Sequence, residues 1–188
     1  MSSSAANVRH KLSVSDYYRM GDAGILHEDS RVELIEGELI DMSPIGSHHA
    51  GIVTLISHLL NKKISDQAIV SVQNPVRLSD WSEPQPDIML LKPRSDYYYD
   101  SHPKPSDVLV LIEVADSSID YDRKTKLPLY ARSGIQEFWI IDMNTQRLER
   151  YTQPNETGYG YCETLDKTGK ISPTALPDVV IDLSRILV

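Results

Sequence analysis

Apolar and polar positions along this chain fall into short β-type blocks interrupted by stretches of helical spacing. SDYYRMGD predicts a short first helix, capped by Ser15 or Asp16 and stopped at Gly21. Val32, Leu34, Leu39, Ile40 and Met42 then form two short runs on either side of Glu36-Gly37, which predicts a β-hairpin. In SHHAGIVTLISHLLNKKI, residues Ile52, Leu55, Ile56, Leu59 and Leu60 recur at helical spacing. That predicts a helix with Ser47 as N-cap and its apolar stripe laid on a sheet. Two β blocks follow, AIVSVQNPVRL and WSEPQPDIMLLKP. Pro84, Pro86 and Pro93 confine the second to about Asp87 through Lys92, because proline cannot donate to a central ladder. RSDYYYDSHPKPSD predicts a long mobile connection.

The strongest apolar run, VLVLIEV, reads as a buried strand. A helical segment ended by Gly134 follows it, and then the strand EFWIID. ERYTQ and YGYCETL predict an antiparallel pair around Asn155 to Gly158, and DVVIDLSRIL closes the chain as a hydrophobic strand. The order implies an α/β (mixed α+β) fold with a central mixed β-sheet flanked by helices. Residues 1–12 are expected to be a disordered N-terminal segment and residues 13–188 a single domain.

Composition adds exclusions. With 188 residues, 40% hydrophobic and 24% charged, the chain can bury a core and looks like a soluble globular protein. Its formal net charge of −8 is the opposite of the basic field of a strong non-specific nucleic-acid binder, although a local basic cleft stays open. Cys162 is the only cysteine, so there is no intrachain disulfide and no cysteine-based zinc cluster, which suits a reducing compartment. No apolar run has the length of a signal peptide or a membrane span, so a cytoplasmic protein with no membrane partner is expected.

Glu113 interrupts the apolar run near its far end. A carboxylate moved unpaired into a low-dielectric interior neutralises, pairs with a cation or coordinates a metal. Asp87 opens DIMLL on another β run; if the two strands are neighbours, the two acids share a proton or hold a divalent cation. Hard oxygen ligands without cysteine favour Mg²⁺ or Mn²⁺ over zinc. Asp122, Lys126 and Tyr130 are spaced at i, i+4 and i+8 and share one helix face, whereas Lys124 points elsewhere and Pro128 can kink the helix.

Each of these residues also has a plainer reading. Asp87 can cap the turn after Pro86, and Glu113 can form a structural ion pair with Lys126 or Arg123. Lys126 can be a solvated partner of Asp122, and His49, beside His48, a helix-end hydrogen-bonding group. Tyr130, Phe138 and Trp139 read as core, and Tyr97 to Tyr99 as an exposed loop more than a base-stacking one.

QPDIML followed by LIEVADSS resembles the split PD...(D/E)XK signature of the restriction-endonuclease-like nuclease superfamily. ELIEGELIDMSP, a histidine at a helix start, QPDI, EVADSS, DRKTKLPLYARSGIQEFWIID and the closing hydrophobic strand together resemble the Uma-type family of putative restriction endonucleases, from about Leu12 to Leu183. The resemblance implies a restriction-endonuclease-like core and a Mg²⁺- or Mn²⁺-dependent endonuclease hydrolysing DNA phosphodiester bonds, with no small-molecule cofactor and with a homodimer as the assembly. It implies Asp87 and Glu113 as metal ligands, with the backbone carbonyl of Val114 as a third. Ala115 stands where the signature has its lysine, and Lys126 on the following helix matches the position that such sequences use instead. Glu36 resembles the acid that such nucleases place on an early element to assist the metal. The displaced lysine and the acidic charge keep a second expectation open, a nuclease fold without efficient catalysis that serves as a nucleic-acid-binding or regulatory module.

Overall fold

The computed structural model describes residues 9–27 and 29–187. Helix α1 (Val14–Asp22) leads into the hairpin β1 (Val32–Ile35) and β2 (Glu38–Asp41), followed by the long helix α2 (Ser47–Ile64). Then come β3 (Ile69–Val72), β4 (Ile88–Leu91) and β5 (Val108–Ala115). A helical crossover follows, made of α3 (Ile119–Tyr121), a π-helical turn (Asp122–Lys126) and α4 (Leu127–Arg132). It leads to β6 (Glu137–Asp142), β7 (Arg147–Pro154) and β8 (Tyr159–Leu165), and the chain closes with the short pair β9 (Lys170–Ile171) and β10 (Ile181–Asp182).

The six strands β3 to β8 form one sheet in sequence order. All its neighbours are antiparallel except β5 and β6, whose parallel pairing needs the crossover that the helical segment supplies. The mixed sheet flanked by helices is the predicted fold class, and its two faces are read directly from the alternation along β5. Val110, Ile112 and Val114 pack with Ile56, Leu59 and Leu60 of α2 in one core. Leu111 and Ala115 pack with Tyr130, Phe138 and Ile140 in the other. Glu113 falls between Leu111 and Ala115 on the second face, under the crossover, and is 3% exposed.

Several boundaries differ from the sequence expectation. The N-cap of α1 is Ser13, whose hydroxyl accepts the Asp16 N–H while Asp16 accepts the Ser13 N–H, and the helix runs past Gly21 to Asp22. The N-cap of α2 is Gly46 and makes no side-chain capping bond. Residues 1–8 of the expected disordered segment lie outside the described residues. Beyond them, the Leu12 N–H donates to the Gly37 carbonyl at 2.9 Å, so the chain is tethered before residue 13. The hairpin turns through Glu36 (φ 50°) and Gly37 (φ 82°), and a Cβ at Gly37 would lie 2.6 Å from that of Lys11. The tyrosine loop is pinned in place: Arg94 pairs with Asp96 and lies 4.0 Å over the Tyr98 ring, while the Tyr98 hydroxyl donates to the Lys92 carbonyl. The closing segment contributes only a two-residue strand, and a tight turn at Leu183–Arg185 follows it. Among the described residues no helix is long and apolar enough to cross a membrane.

Candidate active site

Ile88 is opposite Ile112 in the β4–β5 register, so Asp87, one residue before β4, lies across from Glu113. The Asp87 N–H points at Glu113 Oε2 at 3.4 Å. Its side chain turns to the end of β5, where Oδ2 accepts the Val114 N–H at 2.9 Å and sits 3.0 Å from His49 Nε2. Among the described residues, Oδ1 meets only Gln73 Nε2, at 3.5 Å. The other carboxylate is held from the crossover: Glu113 Oε1 accepts from Lys126 Nζ at 3.0 Å and from the Tyr130 hydroxyl at 2.8 Å.

The crossover reaches Glu113 because of its irregular geometry. Pro128 has no N–H to donate, and the helix widens just ahead of it, with the Leu127 N–H donating five residues back to Asp122. Lys126 and Tyr130, four residues apart, both face the strand, so Tyr130 is at once core and site. Asp122, also buried, accepts from the Ser118 hydroxyl at 2.7 Å. Lys124 points outward and pairs with Asp120.

Glu36 is not brought to this place. The sharp hairpin turn directs it outward, and its carboxylate pairs with Arg132 at 2.7 Å on another part of the surface. The early acid that does arrive is Glu33, 3% exposed, with Oε2 accepting the Gln85 N–H at 3.1 Å and lying 3.6 Å from Lys126 Nζ. The signal for it was available, since Glu33 is the charged residue between Val32 and Leu34, inside the strand and not at its turn. His49 is the second residue that the sequence reading undervalued. It lies in the first turn of α2, which is aimed at Asp87, and no local pattern could have revealed that pairing.

The electrostatics follow from crowding in a low dielectric. Burial pushes the Glu113 carboxyl well above its ordinary value, with Lys126 pulling it the other way. Asp122 is also raised by burial. Burial alone would lower Lys126, but the carboxylates of Glu113, Glu33 and Asp122 outweigh it and hold the ammonium firmly protonated. Asp87 goes down in spite of burial, because His49 and the Val114 N–H stabilise its anion. His49 goes up, chiefly through its hydrogen bond to Asp87.

These groups form the floor of an open cleft of about 350 Å³, walled by the β2–α2 loop on one side and by Asp116 to Ser118 on the other. At the floor, four of the lining carboxylates, Glu33, Asp87, Glu113 and Asp122, lie around Lys126 and His49. The surplus of negative charge and the lightly held Asp87 Oδ1 fit a hard divalent cation. Among the described residues no three acidic, histidine or cysteine side chains converge tightly enough to hold an ion by themselves. An ion here would therefore rest on two carboxylates completed by backbone and water, an arrangement that Mg²⁺ accepts.

The fold is similar to that of a solved structure, "a putative nuclease belonging to DUF820" from Anabaena variabilis ATCC 29413. The TM-score is 0.73, with 17% sequence identity over 94% of this chain and 97% of that one. No curated protein matches the chain. The model of the Uma2 family, described as "Putative restriction endonuclease", matches residues 14–184, almost the whole length, and the chain belongs to that family.

Proposed function

We propose that the cleft is the centre of a metal-dependent endonuclease that hydrolyses DNA phosphodiester bonds. The observation that carries this reading is the placement of Asp87 across the strand register from Glu113, with the Lys126 ammonium 3.0 Å from Glu113 at the floor of an open cleft. Asp87 and Glu113 are the residues to hold Mg²⁺ or Mn²⁺, with the Val114 carbonyl as a third donor. When bound, such an ion neutralises charge building on the phosphate and lowers the pKa of an attacking water. The other residues act on these two acids and on the substrate. His49 and the Val114 N–H fix the Asp87 carboxylate, and Tyr130 fixes that of Glu113. Lys126 presents a permanent positive charge to orient the water or to stabilise negative charge as it develops. Glu33 replaces Glu36 as the early acid, and it acts through Lys126. A homodimer is the assembly expected by analogy with nucleases of this fold.

The test is incubation of the purified protein with supercoiled DNA in Mg²⁺ or Mn²⁺, beside Asp87→Asn and Glu113→Gln. Nicking by the wild type and its loss in both variants is expected. Nicking that persists in Asp87→Asn comes from a contaminant and sinks the assignment, while a gel shift without cleavage in either metal favours the binding-module reading.

A further inference from the structure

The same cleft carries information about the form of its substrate. Its floor is recessed, with Glu113 3% and Lys126 6% exposed. A phosphate must therefore descend between the β2–α2 loop and Asp116 to Ser118 before it meets the Lys126 ammonium. A stiff duplex presents its phosphates on a convex surface and resists the local bending that such a descent requires. An unpaired strand bends freely at every nucleotide.

The charge of the lining points the same way. Six acids, Glu33, Asp41, Asp87, Glu113, Asp116 and Asp122, face the cavity, against Arg31, Lys126 and His49. Duplex affinity is built from many phosphate contacts made by lysine and arginine, and one of each with a histidine held by Asp87 cannot supply them. What the cleft offers in their place is an apolar wall. Ile40, Met42, Pro44 and Ile45 line the side made by β2 and the loop after it, Ile45 is 36% exposed, and the Tyr121 ring stands among the lining residues of the other side. Apolar contact of a base face with such a wall is non-directional, so it tolerates any sequence, and it needs the base to be out of its pair.

We infer that the cleft accepts an unpaired DNA strand, with a base seated on the Met42, Pro44 and Ile45 wall and a single phosphate reaching Lys126. The inference rests on the nuclease reading for the identity of its ligand and departs from a duplex-cutting role.

The experiment measures binding and cleavage separately. Fluorescence anisotropy of a short labelled DNA oligonucleotide, alone and annealed as a blunt duplex, is recorded in Ca²⁺ with wild type and Ile45→Asp, and cleavage of the same two DNAs is followed in Mg²⁺. The single strand is expected to bind roughly tenfold tighter than the duplex, the factor contributed by burying about one aliphatic side chain against the base. Its log affinity should fall against log salt with a slope of only about −0.7 to −1.4, that of one or two phosphate contacts. Ile45→Asp should erase the preference. Duplex bound as tightly as single strand, a steep salt slope, or an unchanged preference in Ile45→Asp overturns the inference. Cleavage confined to the duplex also overturns it while leaving the nuclease reading intact. Strand preference without cleavage of either DNA supports the seat and removes the nuclease reading.

Discussion

Glu113 in β5 and Asp142 at the end of β6 are buried acids on neighbouring parallel strands, and one helical crossover sends a cation to each. Their surroundings are otherwise opposite. Asp142 Oδ2 receives Arg123 at 3.1 Å, its Oδ1 accepts the N–H groups of Asn144 and Thr145, and the same arginine also pairs with Glu149. Those partners outweigh burial and hold the Asp142 carboxyl below its ordinary value. Glu113 shares its lysine with Glu33 and lies near Asp122 and Asp87, and its carboxyl is pushed up. One acid is satisfied by the protein and locks the end of β6 to the crossover. The other is left short of positive charge at the floor of a cleft, which is the state expected of a group waiting for a ligand.

The largest consequence of this contrast concerns activity. Lys126→Met is expected to lower DNA nicking by about a hundredfold or more, the typical loss on removing a group that stabilises transition-state charge, with the far-UV circular dichroism unchanged. Full activity in that variant would assign Lys126 to structure alone. Arg123→Ala should do the reverse, leaving nicking near wild type while costing about 1–3 kcal/mol in urea unfolding. The arginine is partly exposed, and this discounts the full penalty of a broken buried pair. An unchanged unfolding midpoint would show that Asp142 does not depend on it.

The smallest effect is one of pH. Glu113 and Asp122, with raised folded values, contribute stability that is present below their unfolded values of 4.5 and 3.8 and is lost as pH rises through the folded ones. Asp142, with a lowered value, contributes stability present above 3.8 and lost as pH falls through its folded value. Metal-free protein should therefore gain thermal stability as pH drops from neutral into the mildly acid range and lose it again at lower pH. Asp122→Asn should raise the neutral-pH Tm and flatten the gain. A Tm that falls steadily from pH 7 downward in both proteins contradicts the claim that the cleft acids are mutually crowded.

The sheet and its faces were legible because alternation along VLVLIEV and the helical spacing of Ile56, Leu59 and Leu60 are properties of single segments. The pairing of Asp87 with Glu113 could be read as a possibility because each acid opens or interrupts an apolar run, a costly placement that asks for a reason. Lys126 was reached through the family resemblance, since helix spacing alone fits a solvated partner of Asp122 equally well, and the π turn places it beside Glu113. Glu36 misled because a residue beside Gly37 in a hairpin turn is displayed outward, whereas Glu33, two strand positions before the turn's neighbour Ile35, is drawn inward with Leu34 and its bridge to Glu83. His49 was undervalued because its partner is 38 residues away and only the packing of α2 on the sheet brings the two together.

The central claim is that Asp87 and Glu113 form a binding place for a divalent cation, and calorimetric titration with Mn²⁺ tests it without requiring catalysis. Wild type and Arg123→Ala are expected to give saturable binding, and Asp87→Asn and Glu113→Gln to lose it. Undiminished Mn²⁺ binding in Asp87→Asn would contradict the account.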